Sequence, residues 1–269
     1  MGIDYVIDYA CIPKQRLTTE GLVDRLKDRA RAQEVVAIYR EQGDHRPANE
    51  IGFEVTRRSA NGMEVTDLLI AGEVLDEAAI LDELEHHCVG CPANAAGRPY
   101  GCLGTISYPI SREAEIWLLE QLPGIAEPIL FLMLMRGVQE FGYTGDQARE
   151  LRDYEGIYFE ASDTLARRYA EMDVTADVLF EMTFQLGPIK PPHAVMLLLF
   201  YHAIPRDNLD PDKIMQLTRG EIASEEFVAQ YSFLHSPAPD DSTSIRDYKQ
   251  FLLALYTAYT LDVALLLDI

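Results

Sequence analysis

The hydrophobic periodicity of the chain changes near residue 112. Before that point, apolar and polar residues alternate in short segments, the period of two that is typical of β-strands. After it, apolar residues recur at intervals of three and four, which indicates helices, and Pro and Gly separate the segments. With 269 residues, the chain is long enough for two domains. We therefore expect an α/β domain at residues 1–112 and an α-helical domain at residues 113–269.

The first part of the chain contains strand and helix candidates in the order β-α-β-β-α-β. Strands are predicted at 3–11, 51–59, 63–72 and 104–111, and helices at 20–40 and 75–87. An Asn61-Gly62 turn joins the second and third strands into a hairpin. This order resembles the ferredoxin-like split βαβ fold. The predicted fold class is therefore α+β, with a ferredoxin-like βαββαβ domain that carries a four-cysteine metal site, followed by an all-α domain.

The four cysteines of the chain are expected to meet at one end of that domain. In a ferredoxin-like sheet the strand order is 4-1-3-2, so the end of the first strand, at Cys11, lies beside the start of the fourth, at Cys102. The second helix ends at the same edge of the sheet and delivers Cys88 and Cys91. The spacing Cys-x2-Cys lets both thiolates reach one ion. The sequence thus predicts Cys11, Cys88, Cys91 and Cys102 as metal ligands.

The identity of the metal follows from the chemistry of four sulfur ligands. Zn2+ is the leading candidate, since tetrahedral zinc sites with four cysteine ligands are common structural sites. An iron–sulfur cluster, [4Fe-4S] or another type, is the alternative, because Pro92 follows Cys91 and small residues fill the loop. Two further alternatives are four reduced, buried thiols and a redox-active Cys88/Cys91 pair. His86 and His87 are left outside the ligand set, as solvated or capping residues at a helix end.

The second part of the chain contains helical patterns and no convincing strand after Ser111. Helices are predicted at 113–121, 127–141, 147–172, 175–186, 191–203, 211–218, 224–235 and 244–267. The last of these is apolar enough to resemble a membrane span. Because Asp262 and Asp268 interrupt the apolar window at 251–269 and no basic residues flank it, we predict a buried, amphipathic core helix.

Charge and motifs exclude several classes of function. The 44 acidic and 23 basic side chains give a net charge of −21, which would repel a nucleic-acid backbone. The first residues lack the basic and apolar regions of a secretory signal, so we expect a cytoplasmic protein without membrane association. The chain also lacks the glycine-rich nucleotide-binding patterns, the Gly-x-Ser-x-Gly pattern and the His-Glu-x-x-His pattern.

These observations predict a soluble metal-binding protein. Its four-cysteine site would be structural, and the acidic helical domain would contact a protein partner or a second copy of the chain. The first alternative is an iron–sulfur redox protein or redox-sensing regulator. The second is a small-molecule enzyme with a pocket between the two domains near His193 or Glu181, where Arg167, Arg168 or Lys190 could pair with the carboxylate. No residue is assigned a catalytic role.

Overall fold

The computed structural model describes residues 2–58, 64–169, 173–185 and 187–267. Besides short 3-10 helices at Ala48–Glu50 and Glu85–Cys88, it contains α-helices and β-strands. In chain order these are β1 Gly2–Ile7, α1 Ile12–Leu17, α2 Thr19–Glu41, β2 Gly52–Arg58, β3 Glu64–Ile70, α3 Ala71–Glu77, α4 Ile80–Leu84, β4 Leu103–Ser107, α5 Arg112–Gln121, α6 Pro128–Glu140, α7 Asp146–Arg152, β5 Ala166–Arg168, β6 Asp173–Thr175, α8 Ala176–Phe184, α9 Pro191–Phe200, α10 Pro211–Thr218, α11 Ser224–Gln230, α12 Thr243–Thr260 and β7 Leu265–Leu267.

The chain divides into two compact units, and neither unit is a single continuous segment. Unit one comprises Met1–Tyr9, Pro92–Gly97 and Gly101–Ile269, and unit two comprises Ala10–Cys91 and Arg98–Tyr100. The N-terminal strand β1 therefore belongs to the same unit as the C-terminal half of the chain.

Unit one is built around a three-stranded antiparallel sheet with the order β4-β1-β7. Strand β1 pairs with β4 through Ile3 and Ile106, and with β7 through Ile7 and Leu265. The side chains of Ile3, Ile7, Ile106 and Leu265 are all at most 3% exposed, so the sheet is part of the core. The central strand thus joins residues from the beginning, the middle and the end of the chain.

Helix α12 packs on this sheet and covers its apolar side chains. The ring of Phe251 contacts Tyr5 of β1 and Phe184 of α8, with centroid distances of 5.4 and 5.3 Å. Ser242 begins the helix, since its side chain accepts the N–H of Ile245 and satisfies a donor of the first turn. The apolar C-terminal segment is therefore a core helix as predicted, although it ends at Thr260. Among the described residues, no helix combines the length and hydrophobicity needed to cross a membrane.

Unit two contains the long helix α2, the β2–β3 hairpin and the short helices α1, α3 and α4. Ala32 of α2, Ile51 and Ala71 of α3 are fully buried and form the centre of one apolar cluster. Helix α2 begins where the hydroxyl of Thr18 accepts the N–H of Gly21, at a distance of 3.1 Å. The helix and the hairpin were predicted from periodicity and are confirmed, whereas the predicted turn at Asn61-Gly62 lies outside the described residues.

The predicted ferredoxin-like fold with a four-cysteine metal site is wrong. Strand β4 lies beside β1 as that fold requires, but the other edge of β1 pairs with β7, and β2 and β3 form a separate two-stranded sheet. Strand β1 also ends at Ile7, so that Cys11 precedes α1 and is not on a strand. Within the described ranges, no group of three or more His, Cys, Asp or Glu residues could hold a metal ion.

The helical prediction for the second part of the chain is confirmed in outline and corrected in detail. Eight of the described helices, α5 to α12, follow residue 111. The prediction that no strand follows Ser111 is wrong, because β5 and β6 form a small hairpin and β7 completes the main sheet. These strands have three residues each, too few for a period of two to be distinguished from a helical pattern.

Candidate functional site

An apolar cavity of about 410 Å3 lies in unit one, lined mainly by α6 and α9. On α9, the lining residues are His193, Met196, Leu197 and Phe200. They are spaced at i, i+3, i+4 and i+7, so they share one face of the helix. Leu197 and Phe200 are 3% and 7% exposed, whereas His193 in the first turn is exposed. This face therefore provides a buried apolar floor and one polar group near the opening.

Helix α6 contributes a matching face with the same spacing. Met133, Arg136, Gly137 and Glu140 line the cavity at i, i+3, i+4 and i+7. A Cβ atom built on Gly137 would meet no other residue's atom within 4 Å. Glycine inside a helix costs about 1 kcal/mol relative to alanine, so its presence here is not explained by helix stability. Its effect is to leave open space in the middle of the cavity wall.

The rim of the cavity combines exposed apolar and polar side chains. Leu132 and Phe141 are 60% and 70% exposed, which is high for large apolar residues. Arg136 forms an ion pair with Glu140 at 3.4 Å in which both side chains are mostly exposed. Burial raises the pKa of Tyr143, and the nearby charge of Glu181 adds to this effect. The rim can therefore contact both the apolar part and a polar end of a bound molecule.

Glu181 of α8 positions the segment that carries Tyr143. Its carboxylate is buried and accepts the backbone N–H groups of Gly145 and Gln147, each at 2.8 Å. The next residue, Met182, lines the cavity. The prediction that Arg167, Arg168 or Lys190 pairs with Glu181 is wrong, because backbone donors satisfy the carboxylate. Arg167 donates instead to the carbonyl groups of Leu119, Glu120 and Leu122.

A buried cluster of charged side chains holds α8 against α5 and α7. Arg152 forms ion pairs with Glu115 and Asp177, and these three residues are at most 3% exposed. Thr164 donates to the second oxygen of Asp177 at 2.6 Å, and the guanidinium lies 4.1 Å from the ring centre of Phe159. Burial raises the pKa of Glu115. We assign the cluster a structural role, since the cavity beside it has room for about one water molecule at 10 Å3.

The four cysteines are divided between the two units. Cys11, Cys88 and Cys91 belong to unit two, and Cys102 belongs to unit one, where its carbonyl accepts the N–H of Ile7. In unit two, the Cys88 sulfur accepts the backbone N–H of Tyr100 at 3.3 Å. Burial raises the pKa of the Cys88 thiol, and the hydrogen bond from Tyr100 opposes this rise.

No disulfide joins any of the four described cysteines. The structure does not bring Cys11, Cys88, Cys91 and Cys102 together as one metal-binding group among its described residues. Binding of zinc, or alternatively of an iron–sulfur cluster, is a separate prediction from the sequence that the structure does not test. Metal analysis of the purified protein, together with its visible absorption spectrum, tests both the zinc and the iron–sulfur prediction.

Sequence reasoning found part of the cavity and missed the rest. It singled out His193 and Glu181, and the structure places His193 on the wall, whereas Glu181 precedes the lining residue Met182 and binds the backbone of Gly145. It missed Gly137, Met182 and Met196, although the repeat at i, i+3, i+4 and i+7 on α6 and α9 is visible in the sequence. The missing information is that these two helices pack together.

The comparisons with known proteins assign no family to this chain. No family model matches it, and no curated protein or solved structure gives a significant match.

Proposed function

We propose that unit one binds an apolar small molecule in the cavity between the facing residues of α6 and α9. The observation that carries this proposal is the size and lining of the cavity. Sites for small molecules have volumes of about 300–1,000 Å3, mostly apolar walls and a few polar groups. A volume of about 410 Å3 lies within that range, and His193, Arg136, Glu140 and Tyr143 are the polar groups.

The side chains of the wall favour a ligand of variable shape. Met133, Met182 and Met196 come from three different helices. Methionine side chains are flexible and polarisable, so they adapt to irregular apolar surfaces. The exposed rim residues Leu132 and Phe141 would be covered by the ligand, which offsets the cost of leaving them in water. The proposed ligand is therefore an apolar body with one polar end near His193 and the Arg136–Glu140 ion pair.

Filling the cavity from Gly137 tests this proposal. The probe is 1-anilinonaphthalene-8-sulfonate, an aromatic anion whose fluorescence rises in apolar sites. Replacement Gly137→Phe places a ring in the open space, so we expect the dissociation constant of the probe to rise at least about tenfold, or roughly 1.4 kcal/mol. The measurement is a fluorescence titration of the native protein.

The matched control is Gly137→Ala, which adds one methyl group and removes the helix penalty of glycine. We expect this variant to bind the probe nearly as well as the original protein. Its free energy of unfolding should be higher by about 1 kcal/mol, so that it unfolds at a higher urea concentration. Equal probe affinity for Gly137→Phe and the original protein, with both folded by circular dichroism, would reject the cavity as the binding site.

A further inference from the structure

The Cys88–Cys91 segment of unit two forms a tight turn with well-defined geometry. Val89 has φ −71° and ψ 121°, and Gly90 has φ +72°. These three angles match a type II β-turn, whose second central position requires a positive φ and therefore favours glycine. The turn is closed by the N–H of Cys91, which donates to the carbonyl of Cys88 at 3.3 Å.

This turn holds the two cysteines at a separation that a disulfide can span. A β-turn brings its first and last Cα atoms within about 7 Å. Disulfides join Cα atoms about 4.4–6.8 Å apart. The Cα separation that a β-turn imposes on residues 88 and 91 therefore overlaps the range that a disulfide spans.

The two thiols differ in access to solvent. Cys88 is 8% exposed, at the end of the 3-10 turn that follows α4. Cys91 is partly exposed, and the adjoining Val89 is 84% exposed, so the turn projects from the surface of unit two. An external molecule can therefore reach Cys91 more easily than Cys88. The backbone N–H of Tyr100 donates to the Cys88 sulfur at 3.3 Å.

We propose that Cys91 and Cys88 are a thiol–disulfide exchange pair that reacts with low-molecular-weight disulfides. Cys91 loses its proton and attacks one sulfur of the external disulfide, which forms a mixed disulfide and releases one external thiol. Cys88 then loses its proton and attacks the Cys91 sulfur, which forms the Cys88–Cys91 bond and releases the second thiol. Two protein thiols are oxidised, one external disulfide is reduced, and the released thiols take up both protons.

The test uses the full-length protein with reduced and oxidised glutathione. The metal content is measured first. The protein is then equilibrated across a series of glutathione ratios, its remaining thiols are alkylated, and its peptides are identified by mass spectrometry. We expect a Cys88–Cys91 disulfide that increases in one two-electron transition. In the Cys88→Ser variant, glutathione should remain attached to Cys91, because the thiol that resolves the mixed disulfide is absent.

The matched control is Cys11→Ser, since Cys11 interacts electrostatically with Cys88 but lies outside the turn. It should form the Cys88–Cys91 disulfide as the original protein does. If Cys88→Ser does not fold, Cys91→Ser provides the same test, because it should form no disulfide at Cys88. A disulfide that joins Cys11 to either partner would overturn the proposal. So would full alkylation at the most oxidising ratio, or stoichiometric zinc or iron that protects these thiols.

Discussion

Replacing Arg152 with alanine is expected to lower the free energy of unfolding of unit one by about 3–5 kcal/mol. Within the described residues, its guanidinium is the only cation that forms an ion pair with the buried carboxylates of Glu115 and Asp177. Removing it would leave two buried carboxylates without their ion-pair partner. It would also remove the hydrogen bond of 2.9 Å to the carbonyl of Ala161. This is the largest effect that we expect from a single substitution.

The single tryptophan provides a selective signal for this measurement. Trp117 is on α5 in unit one, so its fluorescence during urea unfolding reports the stability of that unit. The control is Arg149→Ala on the same helix as Arg152, where the ion pair with Asp146 is exposed to solvent. Exposed pairs contribute about 0–1 kcal/mol, so this variant should be close to the original protein. Similar losses in both variants would contradict the structural role of the buried cluster.

Replacing Glu181 with alanine is expected to lower the stability of unit one by about 1–3 kcal/mol, because the buried N–H of Gly145 would lose its acceptor. The Gln147 donor is only partly buried, so water can replace part of its hydrogen bond. The same change should weaken binding of the anilinonaphthalene probe several-fold, since the carboxylate holds the segment that carries Tyr143 at the cavity. Urea unfolding and the fluorescence titration measure the two effects.

A matched control for Glu181 is Glu150→Ala, which removes an exposed carboxylate from α7. It should change neither stability nor probe affinity appreciably. If Glu181→Ala lowers stability but leaves the probe affinity unchanged, the segment at Tyr143 does not form part of the binding surface.

The sequence predicts the elements of this protein better than their arrangement. Local signals, such as the Thr18 cap of α2 and the repeats on α6 and α9, depend on residues a few positions apart. The partner of β1 depends on Leu265–Leu267, near the other end of the chain. No local pattern distinguishes that partner from β3, which is why the ferredoxin-like arrangement was predicted in its place.

The same reasoning explains the outcome for the sites. The cysteine site was located through an inferred sheet whose first strand was predicted to reach Cys11, but β1 ends at Ile7 and Cys11 lies beyond it. The Cys-x2-Cys turn needs no distant partner, and its Gly90 is visible in the sequence. The cavity is predictable only in part. Each of its two helix faces follows from the sequence, but the contact between the two helices does not.

The proposal that unit one binds an apolar small molecule is tested most directly by methyl NMR of the methionines. The chain contains eight methionines, and Met133, Met182 and Met196, all in the described part of the chain, line the cavity. When the anilinonaphthalene probe is added to protein with 13C-labelled methionine methyl groups, the resonances of Met133, Met182 and Met196 should shift and saturate together. Met215, exposed on α10 outside the cavity lining, should not shift. Shifts confined to methionines other than these three, or shifts at none of them, would contradict the account.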